Sequence, residues 1–218
     1  MKNKDIFAVA LKLFIITAVS ALCLAAINKV TTPVIEKNNK EIEIKAQQEL
    51  LPAAEVFLES EKPESTRQGI TINNFNAGMK EGEVCGYVAT VTSNAGYGGD
   101  IKVMVGIDKS VKVTNVKIIQ SSETAGLGQN ASKPEFISQY AGADSSLTVV
   151  KGEAKQGEIS AISSATITSK AVTECVNAAI EAAQAKADSG AVEDTAKKLE
   201  EIKNETNTQI LEDKGGDN

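Results

Sequence analysis

Between Ser163 and Ser169, five of seven side chains are hydroxyls: Ser163, Ser164, Thr166, Thr168 and Ser169. The run opens into an alanine-rich segment, Thr168 to Ala187, where Ala171, Val172, Cys175, Ala178, Ala179 and Ala182 recur at helical spacing. Hydroxyls at a helix start ordinarily cap it by accepting from its first amides. Five are more than capping needs, and a helix N-terminus with unpaired amides also suits a phosphate. On the residues alone, both readings stay open.

Two further loops are built from small and polar residues. Asn94-Ala95-Gly96-Tyr97-Gly98-Gly99-Asp100 is a glycine-rich turn that a hairpin loop explains. No helix follows it, so it is not a dinucleotide fingerprint. Ser121 to Gly128 reads SSETAGLG, with two glycines around Leu127.

Composition narrows the chemistry. Histidine is absent, which excludes Ser-His-Asp and Cys-His catalysis and His-bearing zinc or haem sites. Cys23, Cys85 and Cys175 form no CxxC pair, so iron–sulfur and zinc-ribbon readings fail on spacing. Cys85 and Cys175 read as two buried thiols; a disulfide would need their Cα atoms within about 7 Å. Difficult chemistry would therefore have to come from a cofactor. A net charge of −6, 4% aromatics and no tryptophan argue against a nucleic-acid partner.

The elements that would position these residues are mostly strands. Ile70–Phe75 and Val84–Thr92 are rich in β-branched residues. Ile101, Val103, Val105 and Ile107 alternate with Lys102, Met104 and Gly106, so one face is buried and the other less so. Val111, Val113, Val116 and Ile118 continue the pattern, with a kink or bulge expected at Thr114-Asn115. Asp108-Lys109-Ser110 joins the two runs as an antiparallel hairpin. A short helix is expected from Pro134 to Tyr140, a strand from Leu147 to Lys151, and a final helix starting near Ser163.

The N-terminal run Ile6 to Ile27 is apolar except for Lys12. As a helix its length would be ~33 Å, against a hydrocarbon core of ~30 Å. Lys2 and Lys4 place its start in the cytoplasm and the bulk of the chain outside. A retained anchor is favoured over a cleaved signal peptide, for which Cys23 and Ala25 offer small residues, because the stretch is long for a signal core. Leu22 before Cys23 disfavours a lipoprotein. Thr31-Thr32-Pro33 is expected to interrupt the chain, and Val34–Leu51 to form a polar helix ended by Pro52. The expected organisation is residues 1–5 cytoplasmic, 6–27 transmembrane, 28–59 a connecting helical segment, 60–187 one domain, and 188–218 a polar tail.

With these motifs assembled, the chain resembles a known family. It is similar to the FMN-binding domain shared by RnfG, a component of Rnf electron-transport complexes, and NqrC, a component of sodium-pumping NADH:quinone oxidoreductases. The family motif D-x-x-[ST]-G-A-T, followed by x-[ST]-S-x-A-V, appears here as Ser163-Ser164-Ala165-Thr166-Ile167-Thr168-Ser169-Lys170-Ala171-Val172. Its glycine-rich turn matches Gly96-Tyr97-Gly98-Gly99-Asp100-Ile101, and its E-T-P-G-L-G loop matches Glu123-Thr124-Ala125-Gly126-Leu127-Gly128. Ser160 stands where the family has Asp, Ser164 where it has Gly, and Ala125 where it has Pro. A serine is free of strain at 164 only if φ there is negative.

The resemblance implies an α+β fold: a transmembrane helix, then a single FMN-binding domain with an antiparallel sheet and flanking helices. It implies FMN held covalently by a phosphodiester to Thr166, placed there from FAD by an external flavin transferase. It makes Ser163, Ser164, Ala165, Thr168 and Ser169 the residues that bond the phosphate or shape the turn. Glu123, Thr124, Gly126 and Leu127 would meet the isoalloxazine, with Leu127 packed on the ring. Gly98 and Gly99 would let the backbone pass close to the cofactor. No metal and no catalytic residue is implied. The implied role is a membrane-bound electron carrier on the extracytoplasmic side of an Rnf-type complex. Such a complex couples ferredoxin/NAD⁺ electron transfer to Na⁺ or H⁺ transport, and this component would turn over no substrate of its own. An NqrC-like or free-standing flavoprotein, and a non-redox exported binding module, are the alternatives.

Overall fold

The computed structural model describes residues 3–188 apart from 62 and 66; the tail expected beyond Asp188 lies outside the described residues. The chain divides into two compact units, residues 1–44 and 45–218. A single helix, α1 (Asn3–Leu50), runs through the first and ends in the second. Its stretch Leu11–Pro33 has mean hydropathy 2.0, is not buried by protein, and is long enough to cross a membrane. The interruption expected at Pro33 does not occur, because Pro33 lies inside α1. The hydroxyls of Thr31 and Thr32 donate back to the carbonyls of Ile27 (3.0 Å) and Asn28 (2.7 Å), in the turn preceding the proline.

The second unit is built on a five-stranded antiparallel sheet in simple sequential order: β1 (Val56–Glu59), β2 (Ile70–Lys80), β3 (Glu83–Ser93), β4 (Ile101–Asp108) and β5 (Val113–Ser121). β1, an edge strand, lies within the segment expected to connect anchor and domain. The β4–β5 hairpin forms as expected, and the register jumps from Ile107↔Val113 to Gly106↔Asn115, leaving Thr114 as the bulged residue. The bulge has a use: Thr114 Oγ1 donates to the carbonyl of Leu50 at 2.5 Å, fixing the end of α1.

After β5 come a 3₁₀ turn (Gly128–Ser132), the short helix α2 (Pro134–Ile137) and a second 3₁₀ turn (Ser138–Tyr140). Strands β6 (Thr148–Val150) and β7 (Glu158–Ser160) pair in parallel as a separate ribbon. The chain then enters α3 (Thr166–Asp188).

Each face of the sheet is covered by a different helix. Ile101, Val103, Val105 and Ile107 share a core with Val172, Cys175, Val176, Ala179 and Ile180 of α3. The alanines on this face bring the helix axis close to the sheet, and each fully buried Val or Ile contributes roughly 1.5–3 kcal/mol. Met104, on the face expected to be less buried, packs with Val88, Ala46, Leu50, Leu51 and Ala54. β4 is therefore covered on both faces.

Buried polar groups lock α3 to its surroundings. Tyr140 Oη shares a 2.8 Å hydrogen bond with Thr173, and Asn177 both accepts from Leu147 N–H (2.8 Å) and donates to its carbonyl (2.9 Å). Arg67, ahead of β2, donates to Glu181 (2.6 Å), Glu174 and Ser146, and these carboxylates raise its pKa above the ordinary arginine value.

Two outcomes follow from this packing. Asn177→Ala should destabilise the domain by about 3 kcal/mol in urea unfolding, because two buried backbone groups lose partners at about 1–3 kcal/mol each. Burial pushes the Cys175 thiol from 9.0 up to about 12. Its protonated form therefore contributes stability that is complete below about pH 9 and is lost as pH rises toward 12. Native protein at pH 8 should leave Cys175 unalkylated, while urea-unfolded protein should react there, read by peptide mass.

Candidate functional site

Three chain segments converge at the N-terminal end of α3: the β3–β4 loop, the loop after β5, and the turn at 163–165. They enclose a cavity of about 400 Å³ lined by Tyr97, Glu123, Thr124, Leu127, Gly128, Ser164, Ala165, Thr166, Ile167 and Thr168. That volume falls in the ~300–1,000 Å³ range typical of small-molecule sites. Tyr97, Leu127 and Ile167 are exposed at its rim, 72%, 43% and 52% accessible. A flat apolar group would cover them.

The turn into α3 is set by local bonding. Ala165 N–H donates to Ile162 O at 3.0 Å, and Ser164 takes a positive φ of 65°. Ser169 N–H makes the first turn of the helix by donating to Ala165 O (3.0 Å). Helix geometry leaves the amides of Thr166, Ile167 and Thr168 without partners within α3, and the helix dipole makes this end partially positive. The half-buried Thr166 therefore brings a hydroxyl to a place that favours an anion.

Glu123 ties the three segments together. It is 4% exposed; its Oε1 accepts from Gly98 N–H at 3.2 Å and its Oε2 from the Thr168 hydroxyl at 2.9 Å. Glycine is required around it on steric grounds. A Cβ at Gly128 would fall on Glu123 Oε2 and approach Thr168 Oγ1 to 2.8 Å, and one at Gly98 would fall on the carbonyl of Ser122.

Of the residues singled out in the sequence, Ser164, Ala165, Thr166, Thr168, Glu123, Thr124 and Leu127 meet at this cavity. Gly98, Gly99, Gly126, Ser163 and Ser169 are not among its lining residues. Ser169 is fully buried and works on the turn, donating to Ala165 O (3.0 Å) and accepting from Ile162 N–H (3.0 Å). Gly98 serves the Glu123 bond, and Gly99 and Gly126 take φ of 121° and 77° in their loops. Tyr97, Gly128 and Ile167 are wall residues that sequence reasoning passed over. Tyr97 and Gly128 lie inside the two glycine loops, and Ile167 lies between the hydroxyls, so adjacency to the motifs was the available signal.

The geometry defines a class: an α+β domain with a cofactor-sized cavity, apolar at its rim and anion-favouring at its helix end. Residues 96–181, which hold every residue lining the cavity, match the FMN-binding domain family. The chain is 39% identical over 199 residues to the G subunit of the Na(+)-translocating ferredoxin:NAD(+) oxidoreductase complex of Acetobacterium woodii, covering 83% of this chain and 93% of that protein. It is 34% identical over 184 residues to the G subunit of the proton-translocating ferredoxin:NAD(+) oxidoreductase complex of Clostridium ljungdahlii, covering 83% and 94%. Among solved structures, NqrC of Shewanella oneidensis is similar at a TM-score of 0.43 and 20% identity, over 48% of this chain and 53% of that one. The chain belongs to the RnfG family, the G subunits of ion-translocating ferredoxin:NAD⁺ oxidoreductase (Rnf) complexes.

The cavity fits FMN by its own chemistry. Exposed apolar side chains await a ring, and a hydroxyl stands at a helix N-terminus that favours a phosphate. The condition for a strain-free serine at 164 is not met, since φ is positive. Ser164→Gly should therefore raise stability by about 0.5–1 kcal/mol, the relief of strain exceeding the entropy glycine adds to the unfolded chain. A lowered melting temperature for the variant would contradict this.

Proposed function

We propose that this chain is the electron-relaying subunit of an Rnf-type complex and carries FMN as a phosphodiester on Thr166. The observation that carries this reading is the placement of the Thr166 hydroxyl in the wall of the FMN-family cavity, at the N-terminal end of α3. FMN, when bound, supplies the one-electron exchange that no side chain here provides.

The residues support attachment by an outside catalyst. A threonine hydroxyl needs a base to attack phosphorus. The chain has no histidine, and Glu123 is committed to Gly98 and Thr168. A flavin transferase would remove the Thr166 proton. The Thr166 Oγ1–phosphorus bond would form as the pyrophosphate bond of FAD breaks and AMP leaves. The diester retains one negative charge, which the end of α3 favours by about 0.3–1 kcal/mol, more where water is excluded.

Thr168 and Gly98 hold the Glu123 wall in place, Leu127 and Ile167 offer apolar cover to a ring, and Tyr97 closes the rim. The apolar stretch of α1 acts as the anchor, with residues 45–188 on the extracytoplasmic side and other subunits of the complex alongside. Both relatives are named as subunits of such complexes, although those complexes translocate different ions.

Co-expressed with a flavin transferase, wild type should show in-gel flavin fluorescence after denaturation, with FMN less water on the peptide containing Thr166. Thr166→Val should abolish both signals while leaving the fold intact by circular dichroism. Fluorescence that persists in the variant would rule out the ester at this position.

A further inference from the structure

The cavity wall contains one carboxylate, and its recorded partners carry no charge. Glu123 accepts from two neutral donors, Gly98 N–H at 3.2 Å and Thr168 O–H at 2.9 Å. Among the described residues the recorded ion pairs all lie elsewhere, on Arg67, Lys117 and Lys186. The chain is also pared down around the carboxyl group. A Cβ on Gly128 would fall on Oε2, and one on Gly96, besides falling on the carbonyl of Gly99, would come within 2.8 Å of Oε1. The acid is thus held at one place, 4% exposed, in the wall of the cavity.

Bridging the two loops to α3 does not require a charge. A glutamine in the same place could accept from Gly98 N–H and donate to the Thr168 oxygen. Burying an acid instead of an amide costs free energy that neutral hydrogen bonds only partly recover. A fold that accepts this cost beside a cavity has placed a negative potential there.

We propose that Glu123 sets the reduction potential of the flavin, its buried negative charge lowering that potential by opposing the arrival of an electron. The proposal rests on the flavin reading above and assigns a purpose to one wall residue of that site. Reduction adds one electron from an external reductant, and no bond to Glu123 forms or breaks. Glu123 acts only through its field, which its burial leaves less screened than that of an exposed acid. Thr168 and Gly98 modulate that field, since each donated hydrogen bond withdraws part of the charge.

The experiment uses the full-length chain co-expressed with a flavin transferase, titrated with dithionite and mediators at pH 8 while flavin absorbance is followed. Glu123→Gln should raise the midpoint by at least about 59 mV, a tenfold change in a one-electron equilibrium. Thr168→Val keeps the acid but removes one donor, so its midpoint should fall. Opposite signs separate a field effect from a loosened pocket, which would move both variants the same way. Equal shifts in one direction, or a flavin-loaded Glu123→Gln with the wild-type midpoint, overturn the proposal. If Glu123→Gln takes up no flavin, Thr168→Val decides, and a midpoint that does not fall overturns it. A wild type without ester-linked flavin sinks the underlying reading and this proposal together. A yellow wild type whose variants keep its potential sinks this proposal alone.

Discussion

One buried carboxylate holds together segments that are far apart in the chain. Glu123 lies 25 residues from Gly98 and 45 from Thr168, and it bonds both. Hydrogen bonds to an acid are worth roughly twice neutral ones when water is excluded. The acid also reaches across where the backbone cannot, because the β3–β4 loop, the loop after β5 and the first turn of α3 belong to different elements. Gly128 leaves room for one of its oxygens, since a Cβ there would fall on Oε2, while a Cβ on Gly96 would fall first on the carbonyl of Gly99 and then approach Oε1. The glycines of these loops have separate causes: room for the acid at Gly128, close backbone approach at Gly96 and Gly98, and positive φ at Gly99 and Gly126.

The rest of the domain gives that arrangement a rigid mount. α3 lies along the sheet through small side chains, and its polar residues are bonded away from the cavity: Thr173 to Tyr140, Asn177 to Leu147, Ser169 to the turn at 162–165. Each bond satisfies a buried polar group and fixes the azimuth of the helix. Once that is set, Thr166, Ile167 and Thr168 present their side chains to the cavity while Ser169 turns inward. Val56, Tyr97, Leu127 and Ile167 are the large apolar side chains left exposed in residues 45–188, and all but Val56 line the same cavity. Exposed apolar surface concentrated in one concave place signals something to be covered.

Much of this was legible in the sequence, for identifiable reasons. Alternation in β4 and β5 and the chemistry of Asp108-Lys109-Ser110 gave the hairpin, and the break in period at Thr114-Asn115 gave the bulge. The three motifs led to the cavity through their resemblance to the FMN-binding family; on the residues alone the glycine-rich turn read as a hairpin loop and the hydroxyl run as a cap or a phosphate site. β1 and β7 were missed, being four and three residues long with no run of alternation to detect. Pro33 misled, because a proline inside a helical run need not end the helix, and here α1 continues through it. The direction in which a hydroxyl points was not legible at all. Ser163, Ser164 and Ser169 look alike in sequence, yet one is exposed, one lines the cavity in a left-handed conformation, and one is buried in the turn.

The left-handed serine bears on how the site is built. A side chain at φ of 65° costs about 1–2 kcal/mol relative to ordinary backbone, and glycine would avoid it. The turn is nevertheless over-determined: Ala165 N–H bonds Ile162 O, Ser169 Oγ bonds Ala165 O, and Ile162 N–H bonds Ser169 Oγ. Three bonds across eight residues outweigh one strained dihedral, so the path of the backbone into α3 is kept. What changes is the cavity wall, where a hydroxymethyl group now stands two residues from the Thr166 oxygen. Fold and cavity therefore tolerate the serine. Its effect is confined to the cavity wall beside Thr166.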